Sequence, residues 1–385
     1  MEKDFVKDSR IKFSAYKPWI SNLDKKIILK TLNQSMLTLG PQLEIFEEKF
    51  RAYTNAKYAI AVSNCTAALH LSLKAIGIKS GDEVIIPDLT FVADANAIIA
   101  CNAKPKIVDI NKENFFISKS SIEKNITSKT KAIIPVHIYG QACNMKEILE
   151  ISEKYDIQVI EDCAHAVGTF QNSKHVGNSG ITGCFSFYPT KNITTAEGGM
   201  VITNSSKIAK KIRELRSHGM TKSLQKRYQS EYPWIFDIEE PGYNYRLDEI
   251  RCALGISQLK RIKKINYLRK NAAKYYYHNL KDISGLILPD MINDESHSYH
   301  LYTIRITDKF SLSRDELFKK LRDNGIRTTV YWMPIDGYKA YQKFLNRKNL
   351  INTNRIYNEI LSLPLFPHIS KKHQDTVIKI IKSCI

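Results

Sequence analysis

The strongest constraint in this sequence is a rhythm. From about residue 55, short apolar runs alternate with stretches of helical texture: "YAIAVS" then "TAALHLSLKAIG", and "EVIIPDLT" then "VADANAIIACN", followed by "PKIVDI" and "KAIIPVHIYG". "MKEILEISEKYD" has the spacing of an amphipathic helix and leads into "IQVIED". Strands that are apolar throughout must be covered on both faces, and strands separated by helices pair in parallel. The pattern therefore predicts an α/β fold with a mostly parallel sheet. Ligands of such sheets lie beyond the carboxyl ends of the strands, where "SNCTAA", "PDLTF" and "EDCAHA" stand.

The texture changes near 258–280. "QLKRIKKINYLRK" predicts one amphipathic helix, with Leu259, Ile262, Ile265 and Leu268 inward and Lys260, Arg261, Lys263, Lys264, Arg269 and Lys270 on solvated faces. "SYHLYTIRI" then reads as an antiparallel strand, "SRDELFKKLRDNG" as a capped helix ending at Gly325, and "RTTVYWMP" as a further strand. This divides the chain into an N-terminal segment plus large α/β domain over 1–260 and a small C-terminal α+β domain over 261–385.

Composition bears on partners. The net charge of +19, from 58 basic and 39 acidic side chains, suits either a lysine-rich solvated surface or attraction to an anionic ligand. No interleaving of aromatic and basic residues and no zinc-finger spacing supports nucleic-acid reading. Seven scattered cysteines without a CxxC pair predict free thiols, a reducing compartment and no structural zinc. The N-terminus lacks the apolar core of a signal peptide, and no run approaches membrane-spanning length. The expectation is a cytoplasmic protein without a membrane or metal partner.

Three motifs carry chemistry. In "IQVIEDCAHAVGT" a strand ends in two acids, placing Asp162 at the ligand edge of the sheet, where a carboxylate either caps a turn or meets a ligand. In "SNCTAALHLSL", Ser63, Asn64 and Thr66 precede a helix whose apolar face is Leu69, Leu73 and Ile76. Such residues serve as N-caps, and the same geometry offers N–H groups and a positive dipole end to a phosphate. In "FSFYPTKNITTAEGGMVITN", Lys191 stands on an aromatic loop between two strands, closed by two glycines. Poor hydration there should lower its pKa, giving the uncharged amine that imine formation with an aldehyde requires. A phosphate cradle, a strand-end acid and an activated lysine are the parts of a pyridoxal-phosphate site.

With "LTLGPQLEIFEEKF", "IIPDLTFVADANAI", "PVHIYGQ", "LRSHGM", "GYNYRLDEIRCALGISQL" and "LSLPLFP", these motifs resemble the DegT/DnrJ/EryC1/StrS family of pyridoxal-phosphate-dependent nucleotide-sugar aminotransferases over nearly the whole chain. The resemblance implies the type I, aspartate-aminotransferase-like fold. It implies that Lys191 binds the cofactor and moves protons, and that Asp162 pairs with the pyridine nitrogen. His165 would lie beside the ring oxygen, Phe91 would stack on the ring, and Thr66, Ala67 and Ser186 would hold the phosphate. Asn244 would reach the phosphate of the neighbouring subunit's cofactor, implying a homodimer with shared sites. Three positions depart from the family pattern: Cys65 where glycine is usual, Asp94 where Thr or Ser is common, and Tyr331 where His often stands.

The implied reaction alternates pyridoxal and pyridoxamine 5′-phosphate, taking an amine from an amino acid, usually L-glutamate, and giving it to a nucleotide-linked keto sugar. "RSHGM", its long spacer, "GYNYR" and "SQL" look more like enzymes acting at C4 of a 4-keto-6-deoxyhexose. The alternatives are C3 amination, a dehydratase of the same family (whose members generally carry His in place of the lysine), another type I class such as a desulfurase or aldolase, and a non-catalytic basic nucleic-acid-binding regulator.

Overall fold

The apolar runs form the strands of one buried sheet. In the computed structural model, which describes residues 11–221, 231–291, 296–344 and 350–385, helices α1 (Asn22–Leu32) and α2 (Pro41–Thr54) precede the first strand. The chain continues through β1 (Tyr58–Val62), α3 (Cys65–Ala75), β2 (Glu83–Pro87), α4 (Ala93–Ala100), β3 (Lys104–Val108), α5 (Lys119–Glu123), β4 (Thr130–Ile133), α6 (Met145–Tyr155) and β5 (Gln158–Asp162). A hairpin of β6 (Phe170–Gln171) and β7 (Lys174–His175) leads to β8 (Thr182–Ser186) and β9 (Gly199–Thr203). Helices α7 (Ser206–Arg216), α8 (Glu249–Leu259) and α9 (Ile262–Leu280) follow. The C-terminal elements are β10 (Leu286–Ile287), β11 (Tyr302–Ile306), α10 (Arg314–Asp323), α11 (Ile351–Glu359), β12 (Ile360–Leu363) and α12 (Lys371–Lys382).

The large sheet has the order β1-β9-β8-β5-β4-β2-β3. The pairs from β3 to β8 are parallel, whereas β9 runs antiparallel to both β8 and β1. The expected mostly parallel α/β sheet is present. Side chains alternate across it. Ile86, Ile160 and Cys184 join the layer under α3, α4 and α7, while Ile85, Ile133 and Val159 pack towards α6. Helix α3 buries Leu69, Leu71 and Leu73, each contributing roughly 1.5–3 kcal/mol of apolar burial. Its start is thereby clamped against the sheet.

Three local expectations change. The basic stretch forms two helices, α8 and α9, divided at Lys260 and Arg261. Arg269, expected on a solvated face, is buried, and its Nη1 donates to the carbonyls of Tyr299, His300 and Leu365. A guanidinium that donates to three carbonyls tolerates an interior that an unpaired cation would not. "RTTVYWMP" contributes only an isolated bridge from Thr329 to Ser362, so it is extended chain and not a ladder strand. The helix before it behaves as read. Ser313 and Glu316 form a capping box, and Gly325, at φ +81°, follows the helix end.

A three-stranded antiparallel sheet, β10-β11-β12, carries the C-terminal core. Helix α9 joins two cores. Ile262 and Ile265 pack with Phe46 and Phe50 of α2, whereas Ala273, Tyr276 and Leu280 pack with Tyr302 and Ile304 of β11. The N-terminal segment also crosses to the C-terminal side: the N–H groups of Lys12 and Phe13 donate to Gly325 O. Among the described residues no helix is long and apolar enough to cross a membrane. All seven cysteines are buried free thiols.

Candidate active site

The start of α3 is set by Asn64, whose backbone is extended and whose Oδ1 accepts from Ala67 N at 2.8 Å. The cap is therefore Asn64, and its bond occupies the Ala67 N–H. Thr66 is exposed, and among the described residues no acceptor takes the N–H of Cys65 or Thr66. Those orphan donors at the positive end of an 11-residue helix make an anion site. Cys65 sits within the helix with its thiol in the apolar layer, so the turn accepts a side chain at the position where glycine is usual. Gly199 is required by contact and not by a turn. A Cβ there would lie 2.5 Å from the Asn64 carbonyl carbon and 2.9 Å from Cys65 N. Strand β9 is thus pressed directly against the helix start.

The loop from 187 to 198 is tied at its neck, Phe187 N donating to Gly198 O and Thr195 N to Phe187 O, both at 2.9 Å. Lys191 is half-buried within it, its N–H donating to Tyr188 O. Burial pulls the amine down to about 8, with the Asp162 carboxylate opposing the shift. The Cys65 thiol feels both Asp162 and Lys191, which places all three around the helix start. The lowered amine expected from the sequence is present.

Asp162 ends β5 and is buried, its Oδ1 accepting from Ala164 N at 2.8 Å. Burial raises its pKa, while the Ala164 N–H and Lys191 pull the other way. His165 is buried too, and its Nδ1 accepts from Tyr139 N at 3.1 Å. Burial holds its pKa well below the usual histidine value, with Lys191 acting in the same sense. A neutral imidazole whose Nδ1 accepts carries its proton on Nε2, so it presents a donor. Ser186 lies at the end of β8, buried, with its Oγ accepting from Tyr188 N at 3.4 Å. Phe91 is 47 % exposed, its ring 4.8 Å from that of Trp332.

Asn244 stands apart from this group. Its neighbour Tyr245 docks on the helix start, Ser63 N donating to Tyr245 O, but the Asn244 side chain is exposed and its Oδ1 accepts from Arg246 Nε at 2.8 Å. Tyr331 is half-buried, its carbonyl accepting from the Tyr139 hydroxyl. A separate groove runs between 11–20 and the C-terminal unit, lined by Lys12, Trp19, Arg327 and Tyr331 among others.

The residues fit pyridoxal phosphate. Unclaimed helix N–H groups suit a phosphate, a buried acid short of donors suits a protonated pyridine, a histidine donor suits a ring oxygen, and an amine that burial makes easier to deprotonate suits an aldehyde. Sequence reasoning missed the role of Glu161, which turns away from this pocket. It also missed the ring of His300, 4.4 Å from His165. Glu161 Oε2 accepts from His137 Nε2 at 2.9 Å and Gly177 N at 2.8 Å, and Oε1 from Ser179 N and Gly180 N, both at 2.7 Å. His137, Glu161 and Cys163 cluster closely enough to suggest a metal site, but the carboxylate oxygens are already engaged by donors.

Comparison with known proteins identifies the family. The profile of the DegT/DnrJ/EryC1/StrS aminotransferase family matches residues 19–382. The spore coat polysaccharide biosynthesis protein SpsC of Bacillus subtilis is 38% identical over 372 residues, covering 96% of each chain. Among solved structures, Helicobacter pylori PseC, described as an aminotransferase involved in the biosynthesis of pseudoaminic acid, superposes with a TM-score of 0.89 at 30% identity, covering 97% of this chain and 98% of that one. The PLP-form of the putative sugar aminotransferase Spr1654 from Streptococcus pneumoniae gives 0.89 at 27% identity, with coverage of 97% and 98%. The chain belongs to the DegT/DnrJ/EryC1/StrS aminotransferase family.

Proposed function

We propose that this aminotransferase moves an amino group from an amino acid, with L-glutamate as the expected donor, to a keto sugar carried on a nucleotide diphosphate. The preferred acceptor is C4 of a 4-keto-6-deoxyhexose, serving surface-polysaccharide or modified-sugar synthesis, and the working unit is a cytoplasmic homodimer with shared sites. The descriptions of PseC, SpsC and Spr1654 support a sugar substrate. The observation that carries the reading is the half-buried Lys191 amine, pulled down to about 8 by burial beside Asp162 and at the start of α3.

When bound, pyridoxal phosphate would supply an aldehyde that carries an amino group and a ring that accepts an electron pair. Lys191 would anchor it and, once displaced, take a proton from the donor's α-carbon and deliver it at C4′, reversing that transfer for the sugar. Asp162 would hold a proton on the pyridine nitrogen. His165 would donate from Nε2 to the ring oxygen, and Phe91 would cover the ring face. Thr66 and Ser186 would take the phosphate with the free N–H groups of Cys65 and Thr66, Ala67 would join them only if Asn64 released its N–H, and Asn244 would serve the partner subunit's site.

The purified enzyme should be yellow, lose that colour with L-glutamate and regain it with an accepted keto sugar nucleotide. Borohydride reduction and peptide mapping should leave a pyridoxyl group on Lys191, and Lys191→Ala should lose both colour and turnover while remaining folded. Normal turnover by that variant refutes the assignment. UDP-, dTDP- and GDP-linked sugars bearing the ketone at C4 or C3 separate the preferred acceptor from C3 amination. The lysine at 191 opposes the dehydratase reading.

A further inference from the structure

Asn192 follows Lys191 in its loop and is buried. Its Nδ2 donates to Asn266 Oδ1 on α9 at 2.7 Å and to Ser298 O at 3.0 Å. Asn266 Nδ2 donates in turn to Val167 O at 3.1 Å, two residues beyond His165. Ser298 meets the same segment, its Oγ donating to His165 O at 3.4 Å. Both amide orientations are forced. The carbonyls of Ser298 and Val167 can only accept, so each amide turns its Nδ2 to one of them, and Asn266 Oδ1 is left to receive Asn192. Gly168, at φ +81°, makes room for this arrangement: a Cβ there would lie 2.3 Å from Asn266 Nδ2 and 2.8 Å from the Tyr53 hydroxyl. One amide on α9 therefore joins the loop that carries Lys191 to the segment that carries His165.

We propose that Asn266 is a positioning residue: acting through Asn192, it holds the Lys191 loop against the 163–169 segment and so keeps the amine in its sheltered place beside Asp162 and the start of α3. The inference rests on the reading of Lys191 as the residue that anchors the cofactor. The backbone ties at the neck, Phe187 N to Gly198 O and Thr195 N to Phe187 O, close the loop upon itself. The bond from Asn192 to Asn266 joins it to a different element. A buried amide is costly to leave half-satisfied, so the pair gives the loop one preferred seat. With the pair gone, the loop can lift and water can reach the amine, whose burial is what pulls it down to about 8. The groups that act electrically on that amine, Asp162, Cys65, His165 and His300, are untouched by a substitution at 266.

The test compares full-length wild type, Asn266→Ala, Asn192→Ala, the double variant and Asn271→Ala, a control at an exposed amide of the same helix. Two readouts are taken: hydrogen exchange of the loop peptide 187–198 in the cofactor-free protein, and the pH dependence of pyridoxal-phosphate uptake. Asn266→Ala should speed loop exchange about tenfold and raise the midpoint of the uptake profile by about one pH unit. The double variant should match Asn192→Ala alone, because the two amides act as one unit, and Asn271→Ala should match wild type. A midpoint still at about 8 in Asn266→Ala, whatever the loss of global stability, makes Asn266 merely structural and overturns the proposal. Unchanged loop exchange, a double variant that adds the two single effects, or the same changes in Asn271→Ala overturn it equally. Should Asn266→Ala fail to fold, Asn192→Ala cuts the same bond from the loop side and decides by the same two readouts. Absence of any pyridoxyl group on Lys191 in borohydride-reduced wild type would sink the cofactor reading instead, leaving the exchange result to judge Asn266 alone.

Discussion

Glu161 and Asp162 are consecutive residues of β5, both buried, yet they live in opposite chemical worlds. Alternation along the strand sends them to opposite faces of the sheet. Glu161 receives donors from His137, Gly177, Ser179 and Gly180. Burial pushes its pKa up, but the His137 bond and the backbone N–H groups outweigh it and leave the carboxyl below its usual value. Among the described residues the Asp162 side chain receives only the Ala164 N–H, and burial wins. The saturated acid is structural, because its donors leave nothing to offer a ligand. The undersupplied acid is poised for a partner the polypeptide does not provide.

The sharpest way to break this contrast is to remove each charge in turn. Glu161→Gln leaves a network of N–H donors facing an amide, and should cost about 3–5 kcal/mol in urea unfolding. Wild-type stability held by Glu161 is present above the ordinary carboxylate value of 4.5 and is lost as pH falls through its depressed folded value. The variant should therefore lose less on acidification. Asp162→Asn, by contrast, should change apo-protein stability by less than about 1 kcal/mol. It should slow bleaching of the visible band by L-glutamate on the order of 100-fold. Equal destabilisation by the two substitutions would erase the distinction.

A subtler probe is the amine opposite Asp162. With Lys191 at about 8, the rate of pyridoxal-phosphate uptake by apo-protein should rise about tenfold between pH 7 and 9 and then level off. A rate still climbing towards pH 10.5 would return Lys191 to its ordinary value. The native lysine binds fewer protons than the unfolded one between 8 and 10.5, so its share of stability increases with pH across that window. The smallest effect belongs to the helix cap. Asn64→Ala should cost about 1 kcal/mol in unfolding, while freeing the Ala67 N–H that its side chain now occupies.

Much of the fold was legible because continuous apolar runs permit few other arrangements. The strand ending at Asp162, the helix after Asn64 and the loop holding Lys191 fall where the sequence places them. What escaped depends on contacts made across the chain. Arg269 has the spacing of a surface residue, and only the carbonyls of Tyr299, His300 and Leu365 explain its burial. Glu161 looks equivalent to Asp162 until the loop at 177–180 folds over it. The two glycines of "EGG" read as turn formers, whereas Gly199 is needed for backbone proximity to Asn64.

Helix α9 carries a lesson for anyone dissecting this protein. A cut at residue 260 follows the change of texture in the sequence, but Ile262 and Ile265 belong to the core beneath α2 while Tyr276 and Leu280 belong to the other. Expressing 261–385 alone would unroof one module and leave the other with a greasy overhang. The helix acts as a shared beam, and a sound truncation keeps it whole on both sides of the join.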